Sequence, residues 1–186
     1  MEDYVFTEEL QERRQHLREV GYNAYCLFCL PGIEITLAKE INTNYEYALA
    51  LPILKMAHRS RGGVKYDIQE PLISSYIFIF IPKDRDIFKI QTSRFKFRIL
   101  EKDANKGALI DQDLEYANWV LEVGGLISVS EAIKYNGKVK IVGGPLKRLE
   151  GKIVEYSRRS RNCCIEIELM NQIIKTWLPF DWVDAK

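Results

Sequence analysis

Helical and extended patterns alternate over the first 125 residues of the chain. Residues 7–20 predict a short helix, which Thr7 caps and Gly21 ends. Residues 22–30 and 48–56 predict extended segments, and between them apolar residues recur at a spacing of three and four. The pattern therefore predicts strands interleaved with helices that pack on a sheet, with hairpin-linked strands among them.

The strongest strand signal in this half is the apolar run Tyr76–Ile81. Three isoleucines alternate with aromatic residues along it, so both faces of the strand are apolar. A strand that is apolar on both faces belongs in the centre of a sheet, covered on each side. Pro82 ends the run, and Gly62-Gly63 predicts the tip of a hairpin that precedes it.

The pattern changes after residue 125. Residues 126–136 indicate a linker, and from Gly137 onward short alternating segments follow one another closely, with turns at Gly143-Gly144-Pro145 and Asn171-Gln172. Five short strands in about fifty residues predict a small closed barrel, since closure removes the exposed edges that such a small sheet cannot otherwise protect.

We therefore predict four segments in the chain. Residues 1–21 form an N-terminal helical extension that docks only thinly, because few of its residues are apolar. Residues 22–125 form the first domain, 126–136 the linker and 137–186 the barrel domain.

Net charge becomes informative once it is divided along the chain. The 186 residues carry 27 Lys and Arg against 26 Asp and Glu, a net of +1, which argues against a nucleic-acid binder. Residues 137–186 alone hold ten basic against six acidic residues, a net of +4, and the remainder is at −3. The barrel domain is therefore the better candidate for contact with a phosphate backbone.

Two predicted barrel loops concentrate this positive charge, and we expect them to converge at one end of the barrel. The candidate RNA-binding residues on them are Lys147, Arg148, Lys152, Arg158, Arg159 and Arg161. A solvated basic turn is the alternative for these loops. A second cluster lies in the first-domain loop around Gly62-Gly63, where the solvated alternative also stands: Arg59, Arg61 and Lys65.

The cysteines and histidines do not predict catalysis or a metal site. Cys26 and Cys29 lie three apart on a predicted strand and face opposite sides of the sheet, as do the adjacent Cys163 and Cys164. A zinc site needs convergent ligands. His16 and His58 lack the neighbours of a catalytic constellation. We expect no enzymatic activity, no metal and no cofactor.

The N-terminal residues include no long apolar core of a secretory signal, and the longest pure apolar run falls far short of the ~18 residues that a membrane helix needs. We expect a cytoplasmic protein that makes no membrane contact.

The segment GKVKIVGGPLKRLEGKIVEY resembles the KOW motif, in which a strand, a Gly-Pro turn and a second strand follow one another. The unit before it, with its glycine-tipped loop and the apolar strand in PLISSYIFIF, resembles the NGN domain. The order of the two resembles the NusG family of transcription elongation factors over residues 22–186. The resemblance implies an α+β sandwich with an antiparallel sheet flanked by helices, followed by a small all-β SH3-like barrel.

The stretches YANWVLEVGGLISVSEAIKYNG and IELMNQIIKTWLPFDWV are most similar to the long-operon antiterminator (LoaP) branch of that family. The resemblance implies a monomer whose NGN domain docks on the clamp helices of RNA polymerase through Leu72, Ile73 and Tyr76. It also implies that the KOW domain engages a nascent RNA hairpin. Arg59, Arg61 and Lys65 are the candidate nucleic-acid contacts in the NGN loop, and upstream or non-template DNA is a further candidate partner, which the general elongation factor of this family reads through its NGN loops.

Two departures from the family pattern qualify these implications. Ser74-Ser75 replaces a Pro-Gly turn before the apolar strand. Met170-Asn171-Gln172 replaces the Phe-Gly-Arg tip that contacts Rho or a ribosomal protein in the housekeeping factor. The alternatives are a general elongation or termination factor that bridges polymerase to the ribosome or Rho, and a ribosome-associated KOW protein that binds RNA.

Overall fold

The computed structural model describes residues 3–101 and 107–184, except for the side chains of Ser60 and Lys65. The chain has a mixed α+β fold, as expected, and divides into two compact units. The first unit contains Met1–Leu54 and Ile73–Leu126, and the second contains Lys55–Leu72 and Ile127–Lys186. The chain therefore leaves the first unit after residue 54, returns to it at residue 73 and leaves it again after residue 126.

The first unit combines α-helices with an antiparallel sheet. Its helices are α1 (Glu8–Val20), α2 (Glu34–Asn44) and α3 (Asp111–Val123). Its sheet has the order β2-β5-β1-β6, from β1 (Tyr22–Cys29), β2 (Leu49–Pro52), β5 (Tyr76–Pro82) and β6 (Phe97–Ile99). The predicted N-cap of α1 is confirmed, because the Thr7 hydroxyl accepts a hydrogen bond from the Leu10 amide at 3.4 Å.

Strand β5 is the interior strand that its alternation predicts, with β2 on one side and β1 on the other. Ile77, Ile79 and Ile81 are fully buried in the core that α2 covers. Phe78 and Phe80 point to the opposite face and are equally buried, which accounts for an apolar residue at every position of the strand.

Helix α1 belongs to the first unit, where a buried charged side chain adds to the few apolar contacts that the sequence predicts. Arg13 is buried, and its Nη1 donates hydrogen bonds to the backbone carbonyls of Asn42, Tyr45 and Ala48 at 2.9, 3.2 and 2.8 Å. The guanidinium thereby donates to carbonyls at and beyond the end of α2, where intrahelical partners run out, and the Tyr45 carbonyl also accepts from the Ala48 amide at 3.0 Å. A charged side chain, which an apolar count ignores, anchors the helix.

The second unit begins with the hairpin of β3 (Leu54–Arg61) and β4 (Val64–Pro71), which pairs in the order β4-β3-β7 with β7 (Leu126–Ile127). Both tip residues, Gly62 and Gly63, have positive φ, as a tight hairpin turn requires. The remaining strands form a sheet in the order β10-β11-β12-β8-β9: β8 (Ser130–Tyr135), β9 (Lys138–Gly143), β10 (Ile153–Ser157), β11 (Asn162–Leu169) and β12 (Gln172–Trp182).

The second unit differs from the predicted barrel domain in its segments. The predicted linker, residues 126–136, contains β7 and β8, and residues 55–72, predicted in the first domain, belong to the second unit. Between β9 and β10 the predicted Gly-Pro turn extends into a 3-10 helix, Pro145–Lys152.

Strand β12 is the longest strand of the second unit and changes partner along its length. This strand pairs antiparallel with β11 from Gln172 to Pro179, then parallel with β8 from Phe180 to Trp182. Pro179 lies at the change of partner. A proline without an amide hydrogen is tolerated best where the ladder is interrupted, so it does not end the strand here.

Candidate nucleic-acid interface

The turn between β10 and β11 presents three of the predicted arginines, and serine side chains fix its shape. The Ser160 hydroxyl donates to the Ser157 hydroxyl at 2.6 Å, and the Asn162 amide donates to the Ser160 carbonyl at 2.8 Å. Such side-chain bonds stabilise a turn in place of a backbone ladder. Arg158, Arg159 and Arg161 on this turn are all exposed.

The three arginines differ in their partners. Arg158 donates to the backbone carbonyl of Gly137, in the turn between β8 and β9. Arg161 lies 3.0 Å from Asp181 in an exposed ion pair. Arg159 has no ion-pair or hydrogen-bond partner among the described residues, which makes it the cation most available to an external anion.

Lys147, Arg148 and Lys152 are exposed as well, but they lie on the 3-10 helix that precedes β10. The arginine turn follows β10. A strand of this length spans about 16 Å at ~3.3 Å per residue, so the two groups flank its opposite ends. The expected convergence of the two loops at one end is therefore wrong. Lys147 is also engaged locally, since its Nζ donates to the Ile141 carbonyl at 3.1 Å.

Aromatic side chains that the sequence did not single out lie beside the arginine turn. Tyr135 is exposed two residues before Gly137, the residue that Arg158 contacts, and Lys140 Nζ lies 5.2 Å from the centre of the Tyr135 ring. Lys134 Nζ lies 5.5 Å from the Trp182 ring. Interleaved aromatic and basic side chains are typical of surfaces that bind single-stranded nucleic acid. The prediction of a linker over residues 126–136 conceals Lys134 and Tyr135 as candidates.

The hairpin of β3 and β4 belongs to the same unit as the arginine turn, and side chains from both line a groove of about 550 Å³. The hairpin contributes His58, Arg59, Tyr66 and Asp67, and the other wall consists of Arg159, Ser160, Arg161 and Asp181. His58 Nδ1 lies 2.6 Å from Asp67, and Arg59 pairs with Glu70. Two basic clusters that are a hundred residues apart in sequence thus share one groove.

The other two residues of the basic cluster at the hairpin tip, Arg61 and Lys65, lie on β3 and β4. Arg61 is exposed at the end of β3, next to the glycine tip. Position 65 is the second residue of the return strand, and its side chain lies outside the described part of the structure. Arg59 is thus the member of this cluster that lines the groove.

The division into units sharpens the charge asymmetry that the sequence suggests. Residues 55–72 and 127–186 hold fifteen Lys and Arg against nine Asp and Glu, a net of +6. Residues 1–54 and 73–126 hold twelve against seventeen, a net of −5. The net charge of the second unit is higher than the +4 of residues 137–186 because the hairpin adds four basic residues and two acidic ones to it.

The predicted polymerase-contact residues are mostly inaccessible. Leu72 and Ile73 are only 7% and 8% exposed, so they offer little surface to a partner. Tyr76 is partly exposed and packs edge-on against Phe28, with ring centres 5.5 Å apart. The Ser74-Ser75 turn that precedes it is held by the buried carboxylate of Glu34, which accepts from the Ser75 amide at 2.7 Å.

The end of β1 carries exposed apolar residues instead: Phe28, which packs against Tyr76, and Leu30, and we call these three residues the apolar patch. Phe28 is 38% exposed and Leu30 69%, and the Arg98 guanidinium lies 5.6 Å from the centre of the Phe28 ring. Phe28 and Leu30 follow a fully buried stretch of β1. Their alternation in the sequence is indistinguishable from that of core residues, which is why sequence reasoning missed them.

The cysteines are buried free thiols. Burial raises the pKa of Cys29 to about 11 and that of Cys163 to about 12, and it raises the pKa of Cys26 still further above its usual range. These thiols are therefore protonated at neutral pH and poor nucleophiles. Over the described residues, no group of three or more His, Cys, Asp or Glu is arranged to hold a metal ion.

No protein-family model matches the chain, and no curated protein matches it. In the described part of the chain, no helix combines the length and the apolar character needed to cross a membrane.

Proposed function

We propose that the protein is a transcription elongation factor of the NusG type, acting as a processive antiterminator rather than as an enzyme. In this proposal the first unit corresponds to an NGN domain that binds RNA polymerase, and the strands of the second unit correspond to a KOW domain that binds nascent leader RNA. The protein acts in the cytoplasm as a monomer without a cofactor.

The arginine turn between β10 and β11 is the observation that carries the RNA-binding half of the proposal. Three exposed arginines lie in four residues, on a unit with a net charge of +6 and beside the exposed ring of Tyr135. Contact with RNA phosphates releases counterions, which gives binding free energy without base specificity. The identity of the RNA hairpin is then set by its shape and loop bases, since the deep A-form groove admits no side chains.

The apolar patch of Phe28, Leu30 and Tyr76 supports the polymerase-binding half. It lies on a unit with a net charge of −5, which is unsuited to a phosphate backbone and compatible with a protein partner. We accordingly move the proposed polymerase contact from the buried Leu72 and Ile73 to this patch, and Tyr76 remains part of it.

Transcription in vitro through terminators, with and without the native leader RNA, tests the proposal. We expect the full chain to increase readthrough only on templates that encode the leader. The double variant Arg158→Glu/Arg159→Glu should lose the leader-dependent readthrough, and Phe28→Ser should lose retention on polymerase. Lys175→Glu is the control for a change of exposed charge on β12 away from the arginine turn.

Two results would replace the proposal by its alternatives. Equal readthrough on templates that lack any leader would favour a general elongation factor. Co-purification with ribosomal subunits and not with polymerase would favour a ribosome-associated RNA-binding protein.

A further inference from the structure

The groove between the hairpin of β3 and β4 and the arginine turn has the volume of a ligand site and a mainly charged lining. Its volume of about 550 Å³ falls within the range of roughly 300–1,000 Å³ typical of small-molecule clefts. All of its lining residues belong to the second unit. The hairpin is held to that unit by Lys55, whose Nζ donates to the Trp177 carbonyl at 3.0 Å and to the Thr176 hydroxyl at 3.3 Å.

The charges of the groove select an anion of low charge density. Arg59, Arg159 and Arg161 share the groove with Asp67 and Asp181, so the excess of positive charge is small. Arg161 is paired with Asp181 and Arg59 with Glu70. Arg159 is thus the strongest anchor for a single phosphate, and a ligand with several adjacent phosphates would meet the two carboxylates.

The opposite wall presents an aromatic ring. Tyr66 lies on β4 and is 44% exposed, which leaves part of its ring available for contact. An aromatic ring and a nearby arginine form the usual pair for one nucleotide, in which the ring stacks on the base and the arginine contacts the phosphodiester. A base inside a duplex has no free face for such stacking, so this pair selects an unpaired nucleotide.

We propose that this groove binds an unpaired nucleotide of single-stranded RNA, with its base on Tyr66 and its phosphate at Arg159. The inference rests on the proposed function and deepens it, because it assigns the single-stranded flank of the leader hairpin to the groove. The hairpin of β3 and β4 is then part of the RNA-binding surface and not a separate DNA-contacting element.

The affinity of the full chain for three RNA probes tests the proposal. The probes are a blunt hairpin, the same hairpin with a short uridine extension, and oligouridine alone. We expect the extension to strengthen binding and the variant Tyr66→Ala to weaken binding of both uridine-containing probes about tenfold, with no effect on the blunt hairpin. Tyr66→Phe, which keeps the ring, should bind like the unmodified protein. Tyr156→Ala is the control, since Tyr156 is also partly exposed and lies outside the groove.

A second readout locates the contact directly. Photo-crosslinking with 5-iodouridine in the extension should mark the peptide that contains Tyr66. Crosslinks confined to Tyr135 or Trp177 would overturn the assignment.

The outcomes separate this inference from the proposed function. If the blunt and extended hairpins bind equally and Tyr66→Ala changes neither, the groove assignment is wrong while RNA binding by the protein stands. If the blunt hairpin does not bind but oligouridine binds through Tyr66, the hairpin-binding function fails and the groove assignment stands. Absence of binding to all three probes overturns both. If polyglutamate competes for the groove as strongly as oligouridine does, the assignment of a nucleotide ligand is also wrong, because this result indicates an acidic protein as the ligand.

Discussion

Lys55 donates a hydrogen bond from its Nζ to the backbone carbonyl oxygen of Trp177 at 3.0 Å, which joins two segments that are 122 residues apart. The Lys55 side chain is only 14% exposed, and its ammonium also lies 3.4 Å from the Glu70 carboxylate. A largely desolvated ammonium is stable only with such partners. The contact links the first strand of the hairpin to β12 and places Arg59 and Tyr66 in the unit that carries the arginine turn.

Replacing Lys55 by methionine should therefore loosen the hairpin. Loss of the charged hydrogen bonds should cost about 2 kcal/mol of local stability. Hydrogen exchange should become faster across residues 55–72 and stay unchanged in α1 and β5. Lys175→Met, at an exposed ion pair with Glu166, should leave exchange in the hairpin unchanged. Unaltered protection of the hairpin in Lys55→Met would show that the hairpin is held by other contacts.

Arg13→Met should destabilise the first unit by about 3 kcal/mol. The substitution keeps the length of the side chain but removes the guanidinium that donates to three carbonyls around the end of α2, and the Ala48 carbonyl loses this bond at a buried position. Urea denaturation followed by far-ultraviolet circular dichroism measures the loss. Arg18→Met, at an exposed position on the same helix, should change the free energy of unfolding by less than about 0.5 kcal/mol. Similar stabilities for the two variants would contradict the anchoring role of Arg13.

Gly125→Ala separates backbone strain from a steric clash when it is compared with Gly32→Ala. Both glycines have positive φ, +88° and +86°, so alanine at either site carries a strain of about 1 kcal/mol. At Gly125 the added Cβ would also lie 2.9 Å from the Pro52 carbonyl oxygen, whereas at Gly32 it meets nothing within 4 Å. Thermal unfolding should show the greater loss for Gly125→Ala, by about 2 kcal/mol. Equal losses of stability in the two variants would mean that the backbone around Pro52 shifts to accommodate the added Cβ without an energetic penalty.

The buried thiol of Cys163 should make stability fall at alkaline pH. The pKa of Cys163 is raised by burial to about 12 in the folded protein, so the folded state keeps a proton that the unfolded state releases. The contribution of this thiol to the free energy of unfolding is complete below about pH 9. Above that pH it decreases by about 1.4 kcal/mol for each pH unit until the folded pKa is reached. The free energy of unfolding, measured by urea titration between pH 8 and about pH 11, should decline less steeply in Cys163→Val than in the unmodified protein. Parallel declines would contradict this assignment.

The sequence predicts the first unit well where periodicity and burial coincide. Strand β5 is one example, because an apolar residue at every position has no other explanation than coverage on both faces. The anchoring of α1 was not predictable in this way, since it depends on Arg13, a residue that a pattern of apolar positions counts as exposed.

Strand β8 was missed for a physical reason. Its most buried inward positions are Ser130 and Ala132, both too small to produce a strong apolar alternation. Small residues are required there: a Cβ on Gly144 would approach Ser130 Cα to 2.7 Å, and the Ser130 hydroxyl accepts from the Leu146 amide at 3.0 Å. Close packing of the backbone replaces a large side chain, and a binary pattern does not register it.

The candidate site was predictable in composition but not in arrangement. The sequence identifies the basic clusters at Arg59 and at residues 158–161, because they are local. It does not reveal that the hairpin and the arginine turn share a groove, which depends on the contact between Lys55 and Trp177, nor that Lys152 and Arg158 flank opposite ends of β10.

The salt dependence of RNA binding by the full chain tests the central claim most directly. If about four phosphates are contacted around the arginine turn, the slope of log affinity against log salt should be about −3 for a single strand. Arg158→Gln/Arg159→Gln should reduce it to about −1.4, and Arg148→Gln/Lys152→Gln, at the other end of β10, should leave it unchanged. A slope that is indifferent to Arg158 and Arg159 would contradict an RNA-binding surface at this turn.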